Sequence, residues 1–433
     1  MPPAARARRL SVLILCLIAW AGFLAVVVVP SARTPSSNGF VAYYTESRVL
    51  LENPRQVGRV YDDAWFHTQT VRFFAPHVFD VVHAQSPAMS LILAPVAWLP
   101  PAPARAIWIA LSVALWLAGL AVLVRALPLG QSRAEAVLAL SAAGTLYSPL
   151  IDGLARGQVY TLLFFLLCLA LRILLRPPGE RRWTAGIPLG IMIFIKAVSP
   201  WLWLALWAAR QKRVLAVAAA TLLAAALLSW PVLGSDAWRT ALHDGLWLRA
   251  NPYIHLTAYQ TVVSFTGHLF VRTPGANPAP IADRPIVAAL LALAILTGAL
   301  VRSARLQRLD AADLEGRALS MALFVSLMEC FSPMAEAYHF VLAVPAIVIA
   351  FWWTTRAPER RRRRWSLLGW VLLLNVPQLW YGWPPLSRGW LALLAYPRLY
   401  GAFGLWFWIG RALESEGRDP ARAAEATRAA EAK

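Results

Sequence analysis

The sequence of 433 residues is poor in charge, and lysine is almost absent from it. Charged residues make up 15% of the chain and hydrophobic residues 59%, whereas soluble domains carry about a quarter charged residues. Only three of the 41 cationic residues are lysines, at positions 196, 212 and 433. This composition excludes an ordinary soluble enzyme and predicts a protein that resides in a bilayer.

Motifs for cofactors and metals are also missing. The chain has no Walker A loop, no G-x-G-x-x-G, no HExxH and no Cys/His pattern with zinc spacing. The three cysteines, Cys16, Cys168 and Cys330, lie far apart in apolar sequence and are predicted to be free core thiols. The sequence therefore predicts no cofactor and no metal site.

Apolar stretches near the length that crosses a hydrocarbon core recur along the chain. They predict an all-α polytopic membrane protein with about 10 to 12 transmembrane or re-entrant helices. We expect one integral membrane domain over residues 1–410, with two long outer loops at about 31–88 and 234–284. Residues 411–433 are predicted to form a disordered cytoplasmic tail.

The net charge of +19 is concentrated in a few arginine-rich loops. If these loops face the cytoplasm, as such loops usually do, both termini are cytoplasmic and orientation alone explains the charge. We therefore expect membrane lipid, and no nucleic acid, as a partner. Only about 26 residues separate two of these loops, RPPGERR and RQKR, which predicts a tight hairpin turning near 196–200 on the outer side.

The same topology places the remaining polar segments together on the outer face, which predicts an outward-facing site. Lys196 lies within apolar GIMIFIKAVSPW, where an ammonium costs at least about 2.5 to 3.5 kcal/mol unless it has water or a partner. A compact cation there is suited to a phosphate, although it could also reach the interface. His339 starts a helix with Glu336 and Tyr338 within one turn, and could donate to a phosphate or simply be an interfacial histidine.

Three further groups of polar residues are candidates. We expect Asp152, Arg156 and Gln158 to open the helix after Gly157. There they could form a site for an anion or a sugar, although Asp152 could simply cap the helix. A general base could come from the acidic residues of the first outer loop, which could equally be solvated: Glu46, Asp62, Asp63 and Asp80. The second outer loop offers side chains that could line a sugar pocket or brace the loop: Asn251, His255, Tyr259, Gln260 and Ser264.

Several segments, in this order, resemble glycosyltransferase family 87 over about residues 38–350: GFVAYYTESRVLLEN, SPAMSLILAPVAWLP, RGQVYTLLFFLLCLAL, AGIPLGIMIFIKAVSPWL and FSPMAEAYHFVLAVPAI. The family's S-P-x-S-W-x-H-H segment is matched at Ser332, Pro333 and His339, and not at Ala335, Glu336 and Tyr338. Its G-Q matches Gly157 and Gln158, and its K-P-x-P lysine matches Lys196.

The resemblance implies a GT-C helical bundle that transfers mannose, another hexose or a pentose from a polyprenyl phosphate to a lipid or glycan acceptor. It implies direct displacement with inversion, with Lys196, Arg156 and His339 at the donor phosphate. The family's D-F-x-x-Y-Y aspartate, its presumed catalytic base, is replaced by Gly39. Either the base has moved to one of the four carboxylates above, or the protein is not an active transferase of the usual kind.

Two other functions are compatible with the composition. A secondary transporter would be expected to show internal repeats and charges at mid-membrane, and we detect no repeat. A non-catalytic polyprenyl-lipid-binding protein is favoured by the missing aspartate at position 39.

Overall fold

The computed structural model describes residues 3–82, 85–129, 132–178, 180–196, 201–250 and 252–417. Apart from one isolated bridge between Thr273 and Asn277, these residues form helices and connecting turns without a β-strand. The α-helices are α1 Pro3–Phe23, α2 Val29–Arg33, α3 Phe40–Glu52, α4 Asp63–Thr70, α5 Met89–Ala97, α6 Pro101–Ala126, α7 Arg133–Gly144, α8 Ser148–Arg156, α9 Tyr160–Leu174, α10 Gly186–Ile195, α11 Trp201–Ala208, α12 Lys212–Ala250, α13 Val262–Phe270, α14 Pro285–Leu306, α15 Leu314–Ser326, α16 Val344–Thr355, α17 Arg364–Leu374, α18 Gln378–Tyr381 and α19 Pro397–Gly417.

Five of the described helices are long and apolar enough to cross a membrane, namely Arg9–Arg33, Pro101–Ala126, Lys212–His243, Pro285–Leu306 and Ala337–Thr355. Helices α7 and α8 provide a sixth crossing if they count as one span, although they are bent by 77°. The predicted all-α polytopic fold is confirmed. Two further apolar helices, Tyr160–Leu174 and Arg182–Ile195, are shorter than a full crossing.

Close helix packing fixes the position of α10. A Cβ atom at Gly186 would lie 2.5 Å from the carbonyl oxygen of Val214, and one at Gly190 would lie 2.5 Å from that of Ala218. Two glycines four residues apart therefore let the α10 and α12 backbones meet, as small-residue pairs do in membrane helices. This packing holds the C-terminal end of α10, where Lys196 follows.

The two predicted outer loops contain regular structure. The first includes α3, α4 and a 3-10 helix, Pro54–Tyr61. The second begins at a break in α12, where Gly234 has φ +76°, and continues as helix to Ala250. The predicted start of the second outer loop, at about residue 234, coincides with that break.

The first residues of the predicted tail are helical in the structure. Helix α19 extends to Gly417, so the predicted start of a disordered tail at residue 411 lies inside this helix. Ion pairs explain the extension, because Glu416 lies 2.6 Å from Arg360 and Glu414 lies 3.0 Å from Arg302. The rest of the predicted tail, from residue 418, lies outside the described residues.

The arginine-rich loops meet at one end of the bundle. Arg182, from the loop before α10, pairs with Asp310 at 3.4 Å, and Arg360, from the loop after α16, pairs with Glu315 at 2.8 Å. The polar segments predicted to face outward lie at the other ends of α9 and α10. Assignment of the basic end to the cytoplasm remains a prediction.

Candidate active site

The start of α3 is capped by Asp80, a residue distant in sequence. The backbone N–H of Gly39 donates to Asp80 Oδ2 at 2.5 Å, and that of Ala42 donates to the same oxygen at 3.2 Å. The N–H of Val81 donates to Oδ1 at 3.0 Å. A carboxylate at a helix N-terminus is favoured by the unpaired N–H groups there, and this interaction fixes Asp80 beside Gly39.

Gly39 has no room for a side chain. Its φ is +96°, and a Cβ atom there would collide with the Gln158 amide and lie 3.0 Å from the carbonyl oxygen of Arg156. The Gln158 amide is itself fixed, because its Oε1 accepts a hydrogen bond from the Tyr43 hydroxyl at 2.5 Å. An aspartate at position 39 would not fit this arrangement, and Asp80 supplies a carboxylate to the same corner.

The environment of Asp80 changes its acidity. Burial raises the pKa of Asp80 to about 6, although its three backbone hydrogen bonds lower it, and the charge of Glu336 raises it further. A general base is most effective when its pKa lies near the working pH. Asp80 therefore has the acidity expected of a base.

The prediction that Asp152 and Arg156 open the helix after Gly157 is wrong. Both residues lie on α8, which ends where Gly157 adopts the left-handed conformation with φ +66°. Asp152 does not cap a helix, since its carboxylate pairs with Arg156 Nε at 3.1 Å. Gln158 lies in the short connection between α8 and α9, two residues before α9 begins at Tyr160.

An aromatic cluster brings Lys196 and His339 together. Tyr160, the first residue of α9, lies between them: its ring centroid is 5.1 Å from Lys196 Nζ and 4.2 Å from the His339 ring. Tyr338 packs against both aromatic neighbours, at 5.3 Å from Tyr160 and 4.6 Å from His339. Residues from three distant segments thus form one site.

Glu336 joins Arg156 to this cluster. The Tyr338 hydroxyl donates to Glu336 Oε1 at 3.1 Å, and Arg156 Nη1 lies 3.7 Å from Glu336 Oε2. Because Arg156 also pairs with Asp152, two carboxylates compensate its charge. Arg156 is thus at the site, but with less charge available for an anionic ligand than a free cation would have.

A backbone contact sets the tautomer of His339. The N–H of Glu336 donates to His339 Nδ1 at 3.1 Å, so the proton of the neutral ring is assigned to Nε2. The histidine can therefore act as a hydrogen-bond donor through Nε2, as a phosphate ligand requires.

The charge of Lys196 is less compensated by carboxylates than that of Arg156. Within the part of the chain that the structure describes, no carboxylate forms an ion pair with it. Burial lowers the pKa of Lys196 to about 8, while the more distant charges of Glu336, Glu329 and Asp80 raise it. Lys196 is therefore positively charged at neutral pH and surrounded by carboxylates that it does not contact directly.

Sequence reasoning missed Glu329, Tyr160 and Tyr43. Glu329 is 5% exposed, and its Oε1 has no hydrogen-bond partner among the described residues. Burial raises the pKa of Glu329 to about 8, and the charge of Lys196 lowers it. When it is ionised, its charge acts on both Lys196 and Tyr160. A carboxylate within the apolar run MALFVSLMECF is itself a functional signal, whereas nothing in the sequence distinguishes the two tyrosines from other aromatic residues.

The other three candidate carboxylates lie elsewhere. Glu46 is fully buried on α3, and burial raises its pKa, although a backbone hydrogen bond from Ser90 lowers it. Asp62 is exposed and caps α4 by accepting from the N–H of Trp65 at 3.2 Å. Asp63 is the first residue of α4. None of these three is among the carboxylates that act on Lys196.

Tyr259 is the residue of the second outer loop that comes near the cluster. Burial raises its pKa, and the charge of Glu336 raises it further, so its hydroxyl lies within electrostatic reach of that carboxylate. His255 instead packs within its own loop, where its carbonyl oxygen lies 2.6 Å from His268 Nδ1 and its ring Nδ1 lies 3.5 Å from Thr273. Asn251 lies outside the described residues.

Several polar residues brace the site's backbone. Gln260 donates to the carbonyl oxygens of Thr257 and Ala395 at 2.8 Å each, and Ser264 donates to that of Leu256 at 2.7 Å. Of the candidates in the second loop, Gln260, Ser264 and His255 therefore fit the bracing alternative.

The segment before α16 is fixed by a hydrogen bond within the segment and by hydrogen bonds from α19. Ser332 Oγ donates to the carbonyl oxygen of Met334 at 3.1 Å. Arg398, which is buried, donates to that of Ala337 at 2.7 Å and to Ser148 Oγ at 2.9 Å. These contacts fix the turn that presents Glu336, Tyr338 and His339.

The fold and this site define a polytopic all-α membrane protein with a polar, ionisable cluster where the ends of several helices meet. A family model, "Glycosyltransferase family 87", matches residues 86–333, more than half of the chain. The chain belongs to glycosyltransferase family 87, and it is a membrane glycosyltransferase. No curated protein and no solved structure shows a significant match. The matched range includes Arg156, Gln158, Lys196 and Glu329, whereas Asp80 and His339 lie outside it.

Proposed function

We propose that the protein transfers a mannose-like hexose or a pentose from a polyprenyl-phosphate donor to a lipid or glycan acceptor, with inversion, at the outer face of the membrane. The observation that supports this best joins Lys196 and His339, which meet at the cluster of Tyr160, Tyr338 and His339 (the Tyr160 cluster), to Asp80. The charge of Asp80 acts on Lys196, and the pKa of Asp80 lies near neutrality, at about 6. These groups serve the two needs of a sugar transfer from a phosphate, which are stabilisation of the leaving group and removal of a proton.

Lys196 and His339 bind the donor phosphate in this proposal. A lysine ammonium interacts with phosphate as a compact charge, and His339 Nε2 adds a directed hydrogen bond. Arg156 has a supporting role, because Asp152 and Glu336 already compensate its charge. As the sugar leaves, negative charge grows on the phosphate, and both donors stabilise it more strongly.

Asp80 is the base in this proposal. The acceptor hydroxyl gives its proton to the Asp80 carboxylate while its oxygen forms a bond to the anomeric carbon. The bond from that carbon to the phosphate oxygen breaks, and its electron pair leaves with the polyprenyl phosphate. Attack from the face opposite the leaving group inverts the anomeric configuration.

The experiment uses full-length protein in phosphatidylcholine nanodiscs with polyprenyl-phosphate donors carrying labelled mannose, another hexose or a pentose. A membrane-lipid extract serves as the acceptor. We expect labelled lipid product with one donor, and NMR of that product should show inverted anomeric configuration. Lys196→Gln and His339→Ala should each weaken retention of the labelled donor by about tenfold or more, as loss of a charged hydrogen bond does.

Arg239→Gln is the matched control, because Arg239 is an exposed cation that pairs with Asp236 on the same helix. It should bind donor and transfer sugar as wild type does. Absence of transfer from every donor, together with unchanged donor retention in both site variants, would exclude the proposal.

A further inference from the structure

A strongly basic cavity lies at the end of α9 and α10 that is remote from the Tyr160 cluster. It has a volume of about 450 Å³ and is lined by Glu180, Arg181, Arg182, Trp183, Arg210, Gln211, Lys212, Arg213 and Val214. Five of these residues are cations. With its 15 residues, α9 separates this cavity from Tyr160 by about 22 Å, so the two sites are distinct.

Arg182 is the buried element of the cavity. It is 7% exposed, and its Nη1 pairs with Asp310 at 3.4 Å. Its Nε and Nη2 atoms have no hydrogen-bond partner within the described residues. A buried guanidinium with unused donors is costly unless a ligand accepts from it, and the fork of an arginine matches the oxygens of a phosphate.

The charge around Arg182 is not balanced by the protein. Two carboxylates, Glu180 and Asp310, face the five cations of the cavity. Asp310 is 73% exposed, and it is shared with Gln211, whose Nε2 donates to the same oxygen at 3.3 Å. The net charge of the cavity is thus positive, which favours an anionic ligand.

Tryptophans place the cavity at the edge of the membrane. Trp183 lines it and is 41% exposed, and Trp207 on the neighbouring α11 is 64% exposed. Exposed tryptophans of membrane proteins concentrate at the level of the lipid headgroups. Basic pockets at this level are suited to lipid headgroups.

We propose that the cavity around Arg182 is a binding site for the phosphate of an anionic membrane lipid. The guanidinium of Arg182 receives the phosphate, Arg181, Arg210, Lys212 and Arg213 supply long-range attraction, and the acyl chains remain in the bilayer beside Trp183. This site is independent of donor binding and of catalysis.

Native mass spectrometry of the full-length protein in neutral detergent, titrated with phosphatidylglycerol, tests the proposal. Phosphatidylcholine and inorganic phosphate are titrated in parallel. Wild type should bind phosphatidylglycerol in preference to both. The Lys212→Gln/Arg213→Gln double variant removes two exposed cations, and its Kd should rise about 25-fold, at about fivefold for each charge.

Arg182→Gln tests the buried group and should also weaken phosphatidylglycerol binding. If Arg182→Gln fails to fold, the Lys212→Gln/Arg213→Gln variant still tests whether the cavity binds the lipid. Arg361→Gln/Arg362→Gln is the matched control, because it removes two exposed cations of the same basic end outside the cavity; its Kd should equal that of wild type. Equal weakening in this control would show general attraction only. That result would overturn the proposal, as would equal Kd values in wild type and all variants, or tighter binding of inorganic phosphate than of phosphatidylglycerol.

Discussion

Asp80 Oδ2 accepts a hydrogen bond from the backbone N–H of Gly39 at 2.5 Å, across 41 positions of sequence. The pattern that the family resemblance implies has an aspartate side chain where this glycine lies. The carboxylate is therefore present at that corner of the site, but it comes from a different segment. A glycine at position 39 is what makes room for Gln158 and for the approach of Asp80 to the backbone.

Asp80→Asn should abolish most of the transfer activity while leaving the fold intact. An amide oxygen can still accept from the N–H groups of Gly39 and Ala42, whereas the hydrogen bond from the N–H of Val81 to the other oxygen is lost. An amide cannot take a proton. Loss of a general base costs about 10²- to 10⁴-fold in rate. The measurement is kcat in nanodiscs, together with donor retention, which should change little.

Asp62→Asn provides the matched control for this carboxylate. Asp62 caps α4, and asparagine is about as good a cap as aspartate, so both activity and stability should remain those of wild type. If Asp80→Asn retains full kcat, Asp80 is not the base, and the carboxylate substitutions should be extended to Glu46, Asp63 and Glu329.

Much of this architecture is predictable from the sequence because hydropathy and arginine position dominate membrane folding. Lys196 and His339 stand out because ionisable groups in apolar sequence are costly. The predicted placement of Asp152 and Arg156 at the start of a helix is wrong because Gly157 ends one helix here, and the sequence alone does not distinguish this from the start of the next. The Asp80 interaction with Gly39 depends on tertiary contacts between distant segments, and no local pattern indicates it.

Gly39→Ala should destabilise the protein and lower its activity. The backbone there has φ +96°, a conformation that costs a residue with a side chain about 1 to 3 kcal/mol, and the new methyl group would displace Gln158. Thermal unfolding in detergent measures the loss. Gly298→Ala is the control, because a Cβ atom at Gly298 meets nothing within 4 Å and alanine is favoured over glycine in a helix. Equal stability of Gly39→Ala and wild type would contradict the packing described for Gln158.

The pH dependence of kcat/KM should be bell-shaped, with a maximum near neutrality. Burial raises the pKa of Asp80 to about 6, so the base loses its proton and activity rises as the pH increases through this value. Burial lowers the pKa of Lys196 to about 8, so the phosphate-binding charge is lost above it. Because the pH dependence of kcat/KM reports the pKa values of the free enzyme, the bound donor phosphate does not shift these limbs.

Lys196→Arg separates the two limbs of this profile. A guanidinium stays protonated across the whole range, so the alkaline limb should disappear while the acid limb near pH 6 remains. The geometry of the phosphate contact also changes, so the maximum value of kcat/KM should fall. A profile whose alkaline limb is the same in Lys196→Arg and wild type would assign that limb to another group.

Glu329→Gln should move the alkaline limb to lower pH. Burial raises the pKa of Glu329 to about 8, so its carboxyl ionises in the pH range of the alkaline limb. Its negative charge there raises the pKa of Lys196, because an anion nearby favours the protonated ammonium. Glutamine has the same size but no charge. Burial then lowers the pKa of Lys196 with less opposition from nearby negative charge, and Lys196 loses its proton at a lower pH. Donor retention measured at pH 6 should be nearly that of wild type, whereas retention at pH 8 should be weaker. Glu359→Gln is a suitable control, since Glu359 is exposed at the basic end of the bundle. An unchanged alkaline limb in Glu329→Gln would show that Glu329 does not act on the lysine.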